Sequence, residues 1–215
     1  LRVPYGNRKK EEITAFATDI VKYLENFDID YYIIACNTIS VTCKDYLAKT
    51  FNKDFIAITD VAVDAAIKYK GDFLTLATEI TVDSHFYKKT IEARTDGRVY
   101  EKKAIRLVNL IESGILSGAI LNEALDEYLS MANEREIENI ILACTHYPIV
   151  KEEIKKHLSY GANIIDPAVT LSEKLVTRDV DNWVNIFMTK ESEETRSLID
   201  EIMEVNYKLN FIGDF

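Results

Sequence analysis

Tyr32-Ile33-Ile34-Ala35-Cys36-Asn37-Thr38 is answered in the second half of the chain by Ile140-Ile141-Leu142-Ala143-Cys144-Thr145-His146. Each is a short apolar run that ends in Ala-Cys and passes into small polar residues. Runs of this length, apolar throughout, read as strands buried on both faces, the signature of a parallel sheet. Residues 54–58, 73–77, 162–165 and 183–187 carry the same signature. Helical spacing fills the intervals. Ile13, Phe16, Ala17, Ile20, Val21 and Leu24 predict a helix over 8–26, and Leu121, Ala124, Leu125, Tyr128 and Leu129 share one face of a helix over 118–132. Further helices are expected at 38–50, 60–70, 83–95, 148–158 and 168–179, with a last one over 192–205 opened by Ser192 as N-cap. Short strands alternating with helices predict an α/β architecture, doubly wound on mostly parallel sheets. No Gly/Pro-rich linker divides the 215 residues; domain crossings, if the chain has two, fall near Gly71 and Asp166.

Bulk properties narrow the function. The net charge of −10 supplies no global basic field for nucleic acid or an anionic membrane. An anionic ligand would need local neutral donors or helix N-termini. No apolar run reaches the roughly 20 residues that span a bilayer, and no signal peptide is visible. Three cysteines in a chain this long do not make a secreted disulfide framework, so a reduced, cytoplasmic protein is expected.

In open parallel sheets ligands sit at the carboxyl ends of the strands, where both Ala-Cys pairs fall. The backbone N–H groups opening the next helix point into the same space, favour anions and stabilise a thiolate. Either cysteine alone reads equally well as a small core residue. The same context twice points to function: two facing thiols suit removal of a proton from one face of a carbon and its return on the other, which is racemisation. Cys43, two helical turns after Cys36, matches no redox or zinc spacing and reads as buried in a helix. Cys36, Cys144 and His146 lack an evident fourth ligand, so no metal is expected. His85 and His157 have no clustered partners, Lys9-Lys10 and Lys155-Lys156 read as solvated helix faces, and no glycine-rich phosphate loop occurs.

Ala35-Cys36-Asn37-Thr38 and Ala143-Cys144-Thr145-His146-Tyr147-Pro148 resemble the two signature motifs of the glutamate racemase family. Val3-Pro4-Tyr5-Gly6 resembles its early pocket-lining loop. Leu76-Ala77-Thr78-Glu79-Ile80-Thr81, followed by Ser84 and Tyr87, resembles its central Thr-rich motif. Leu110-Ile111-Glu112-Ser113-Gly114 resembles the segment with its second acidic residue, and Ile165-Asp166-Pro167-Ala168 the one after the second catalytic half. The resemblance implies a cofactor-independent racemase with two pseudo-symmetric α/β domains, residues 1–70 plus 166–215 and residues 71–165, and the site between them. It implies that Cys36 acts on the D-enantiomer and Cys144 on the L-enantiomer, with His146 beside Cys144 and Glu112 orienting the imidazole. Pro4, Tyr5, Gly6, Asn37, Thr38, Thr78, Thr81 and Thr145 would hold the substrate, an acidic amino acid such as glutamate. A homodimer and a role in supplying D-glutamate for peptidoglycan are further implications.

Three departures stand out. The family's opening Asp-Ser-Gly-x-Gly-Gly loop, which supplies an acidic partner for the first cysteine, would lie upstream of Leu1, so a longer gene product is expected. Ala104-Ile105 stands where the family often has Cys-Pro, and Arg106 and Asn109 interrupt a usually apolar stretch. Ile58-Thr59-Asp60-Val61 replaces a Gly-Val-Ile-Glu-Pro-like run. The last two bear on side-chain preference and subunit contacts more than on proton transfer. A racemase or isomerase for aspartate or another acidic amino acid, and a non-catalytic binding protein on the same fold, are the alternatives.

Overall fold

The computed structural model describes residues 5–175, 183–190, 193–203 and 205–213. In chain order its elements are α1 (Lys10–Leu24), β1 (Tyr32–Ile34), α2 (Asn37–Phe51), β2 (Phe55–Ala57), α3 (Ile58–Ala66), β3 (Phe73–Ala77), α4 (Glu79–Ser84), α5 (Phe86–Glu92), β4 (Val99–Lys103) and α6 (Ile105–Glu112). There follow α7 (Ala119–Arg135), β5 (Asn139–Ala143), a 3-10 turn at Tyr147–Val150, α8 (Lys151–Lys156), β6 (Asn163–Ile165), α9 (Pro167–Lys174), β7 (Trp183–Met188), α10 (Glu193–Ile202) and β8 (Asn206–Phe211). The expected N-cap Ser192 and the far end of the helix expected over 168–179 lie outside the described residues.

All described strand pairs are parallel. β1 pairs with β2, β7 with β8, and a four-stranded sheet runs in the order β4-β3-β5-β6. The α/β class with parallel sheets is therefore what the chain adopts. It divides into two compact units, residues 1–174 and 175–215. The first holds both Ala-Cys turns; the second contributes the β7–β8 pair and α10.

The central sheet explains its own sequence. Leu74 and Leu76 of β3 and Ile140 and Leu142 of β5 point to one face, where α6, α7 and α8 bury Leu107, Ile111, Leu125, Leu129 and Ile154 against them. Phe73, Ala77, Ile141 and Ala143 point to the other, against Ala62, Ala66, Tyr87 and Ile91 of α3 and α5. With both faces covered, period-2 alternation vanishes from the sequence and an unbroken apolar run remains. A smaller core joins α1, α2 and β1 through Ala17, Val21, Ile34, Cys43 and Leu47, with the Tyr32 and Phe55 rings stacked 4.8 Å apart. Cys43 is a buried helix residue.

Two expectations are corrected. The single helix over 83–95 is two, α4 and α5, broken at His85, whose backbone is left-handed (φ 53°). The His85 Nδ1 lies 2.7 Å from a Glu101 carboxylate oxygen, a tertiary contact that holds this strained residue. The helix over 148–158 begins as the 3-10 turn, with Pro148 at its start, before α8. The structure also adds β4, α6 and β8 to the elements read from the sequence.

Candidate active site

The register of the central sheet sets the site. Ala77 of β3 pairs with Ala143 of β5, so Thr78 and Cys144 leave neighbouring strands at the same level. Cys36 leaves β1 as the residue immediately before α2. These turns open on one cavity of about 370 Å³, lined by Tyr5, Gly6, Cys36, Thr38, Thr78 and Glu79, by Ile105, Val108, Asn109 and Glu112, and by Cys144, Thr145 and His146. No Lys or Arg is among the described lining residues.

Both thiols are held protonated by burial. Desolvation raises the Cys36 pKa, opposed by hydrogen bonds to the sulfur from the Ile39 and Thr38 backbone amides and the Thr38 hydroxyl. Cys144 is pushed up to about 11, chiefly by burial, and further by the charges of Cys36 and Glu112; the His146 amide and the Thr145 hydroxyl pull it back. The mutual repulsion makes two thiolates at once unfavourable, so the site favours one thiol facing one thiolate.

Around Cys144 the side chains form a relay. The sulfur lies 3.7 Å from His146 Nδ1, and His146 Nε2 lies 3.2 Å from Glu112 Oε1. An ionised Glu112 only accepts, so the Nε2 hydrogen points to it and Nδ1 faces the sulfur. Around Cys36 the described side-chain hydrogen bonds run between hydroxyls. Thr38 Oγ1 lies 2.9 Å from Thr78 Oγ1, which lies 3.0 Å from Thr81 Oγ1.

Of the residues expected from sequence, Tyr5, Gly6, Cys36, Thr38, Thr78, Glu112, Cys144, Thr145 and His146 line the cavity. Asn37 and Thr81 do not; both are buried behind it, Asn37 taking a hydrogen bond from the Tyr87 hydroxyl at 2.6 Å. Pro4 lies outside the described residues. Glu79 and Val108 were not anticipated, and Ile105 and Asn109 stood out only as departures from a motif. Their signal was present: Ile105, Val108, Asn109 and Glu112 follow the i, i+3, i+4, i+7 spacing of one helical face. Glu79 lies 2.9 Å from Lys103 Nζ, which also binds Asp83 at 2.8 Å. Among the described residues no three His, Cys, Asp or Glu side chains are arranged to hold a metal ion, and no helix is long and apolar enough to cross a membrane.

Known proteins carry the same arrangement of elements. The chain is 34% identical to the glutamate racemase of Persephonella marina over 94% of its own length and 80% of that protein. Its fold superposes on the crystal structure of the Francisella tularensis glutamate racemase in complex with D-glutamate with a TM-score of 0.85, at 28% identity, covering 98% of this chain and 84% of that one. For the Aquifex pyrophilus glutamate racemase the TM-score is 0.81 at 30% identity, with coverage of 98% and 84%. Residues 2–175 match the family described as Asp/Glu/hydantoin racemase, and the chain belongs to that family.

Proposed function

We propose that the protein interconverts L- and D-glutamate without a cofactor, by proton transfer between Cys36 and Cys144 at the α-carbon. The observation that carries this reading is that both thiols, from the ends of different parallel strands, line one cavity of amino-acid size. The relatives named glutamate racemase support the substrate. One thiolate takes the α-proton; the C–H bond breaks, an S–H bond forms, and the electron pair stays on carbon, spread into the adjacent carboxylate. The opposite thiol then gives its proton to the other face, and the two sulfurs have exchanged protonation states.

The surroundings suit each demand. An α-proton is weakly acidic, so base and carbon must be aligned in a site that excludes water. The substrate's ammonium brings a positive charge, lowering the cost of a thiolate beside it. The Thr38, Thr78 and Thr145 oxygens and the Tyr5-Gly6 loop line the cavity as neutral polar groups to receive the substrate. His146, oriented by Glu112, serves the Cys144 proton. In this reading D-glutamate leaves for peptidoglycan synthesis, the protein works in the reduced cytoplasm, and it assembles as a homodimer.

The test is α-proton exchange in D2O, followed by proton NMR and chiral analysis with L-glutamate, D-glutamate and aspartate. Deuterium entry with racemisation of glutamate is expected, falling at least about 10³-fold in Cys36→Ala and in Cys144→Ala. Exchange with aspartate but not glutamate would move the substrate. No exchange with any acidic amino acid, in a folded protein, would leave a binding protein.

A further inference from the structure

Behind each cysteine turn stands a tyrosine with no exposed surface, Tyr87 and Tyr147. The Tyr87 ring belongs to the core of the central sheet, while its hydroxyl donates at 2.6 Å to Oδ1 of Asn37, the residue after Cys36. The Tyr147 hydroxyl donates at 3.0 Å to the carbonyl of Ala104, the residue before α6, and α6 carries Glu112. We propose that Tyr87 is a positioning residue that pins the first turn of α2, and with it the donors facing Cys36, to the central sheet, as Tyr147 pins the Cys144 turn to α6.

The geometry gives the reason. The Thr38 and Ile39 amides that face the Cys36 sulfur belong to the first turn of α2, which begins at Asn37. A small shift of that turn moves donors and sulfur relative to a substrate held on β3 and β5. Two side-chain hydrogen bonds tie the turn to the segment following β3: Thr38 to Thr78, which lines the cavity, and Asn37 to Tyr87, which is shut away from it. The second binds no substrate, so its purpose is placement. A phenol–amide bond in a dry interior is directional, and losing the phenol strands the Asn37 acceptor. With Oδ1 committed to Tyr87, Nδ2 is committed to the opposite side of the side chain.

The inference rests on the racemase reading for its kinetic part only, and Tyr87→Phe tests both parts. Hydrogen exchange read by mass spectrometry should rise several-fold in residues 34–42 and stay unchanged in residues 142–150, with Tyr147→Phe giving the reverse. In turnover, kcat should fall about tenfold with KM nearly unchanged. The α-deuterium isotope effect on kcat/KM should grow for D-glutamate relative to L-glutamate, because the Cys36 step has become the slower one; in Tyr147→Phe the L-enantiomer should show the larger effect. Unchanged exchange, exchange rising equally at both turns, or isotope effects that stay matched would overturn the proposal. Asn37→Ala removes the same bond from its other end and should reproduce the exchange pattern if Tyr87→Phe does not fold. If the wild-type protein exchanges no α-proton, the racemase reading falls, and hydrogen exchange alone decides the placement of the turn.

Discussion

Cys36 is followed at once by a fifteen-residue helix, whereas Cys144 is followed by a bend and the four-residue turn that Pro148 helps to start. Two stretches nearly alike in sequence therefore surround their sulfurs by different physics. Among the described residues, the first uses a helix N-terminus and the Thr38 hydroxyl. The second has no long helix behind it and uses an imidazole backed by a carboxylate. The proposed two-thiol reaction asks for two bases of matched strength, which different surroundings can supply. Burial raises both thiols, and each turn offsets that with the donors its local backbone allows.

The sharpest way to break this contrast is to remove the imidazole beside Cys144. His146→Asn keeps a polar side chain but no base, and turnover should fall about 10²- to 10³-fold. The α-deuterium effect should then be larger for the enantiomer whose proton Cys144 removes. Equal effects for the two enantiomers would show that His146 serves both sulfurs and that the contrast is false.

The next effect is on stability. The folded protein holds the Cys144 thiol near pKa 11 against an ordinary value of 9.0, so the unfolded chain releases this proton first as pH rises. Below about 9 the contribution is fully present; it is lost through about 11, on the order of 3 kcal/mol. Cys43, also pushed up to about 11 by burial, acts in the same direction. Urea unfolding at alkaline pH should show this decline, and Cys144→Ala should show a shallower one. An identical slope in the variant would mean that Cys144 titrates normally.

The smallest effect belongs to the Cys36 turn. Thr38→Val removes one hydroxyl that binds both Thr78 and the Cys36 sulfur, and should cost about 1 kcal/mol of stability and about tenfold in kcat. Denaturant titration and steady-state kinetics measure both. A loss as large as that of His146→Asn would make the hydroxyls as important as the imidazole.

How much of this was legible depended on burial. β3 and β5 are buried along their whole length and stand out in the sequence as short apolar runs between polar turns; the same kind of run in β1 leaves Ile33 exposed, so it marks a strand without fixing how many faces are covered. β4, with Glu101, Lys102 and Lys103 in an edge strand, gave no such run. α6 was hidden by Arg106 and Asn109, although Leu107, Val108 and Ile111 bury one stripe of it. The break at His85 combines a local cause, the Ser84 hydroxyl that bonds the Thr81 carbonyl and accepts from the Phe86 amide, with a contact to Glu101 sixteen positions away. In the site, the cysteines, His146 and Glu112 stood in recognisable strings. Glu79 stood inside the Thr-rich string without being singled out, and Val108 in none, because a cavity wall is defined by which face a helix turns inward.

The three threonines behind Cys36 have a direction. Thr81 is buried with no exposed surface, and the Thr78 oxygen is the partner its hydroxyl has. Were the bonds to run inward, the Thr81 hydrogen would end without an acceptor. Running outward, Thr81 donates to Thr78, Thr78 to Thr38, and Thr38 to the Cys36 sulfur. The chain behaves as a one-way wire of aligned dipoles, each polarising the next, with its positive end resting on the sulfur. A threonine that no substrate can touch thereby sets the electrical sense of the pocket.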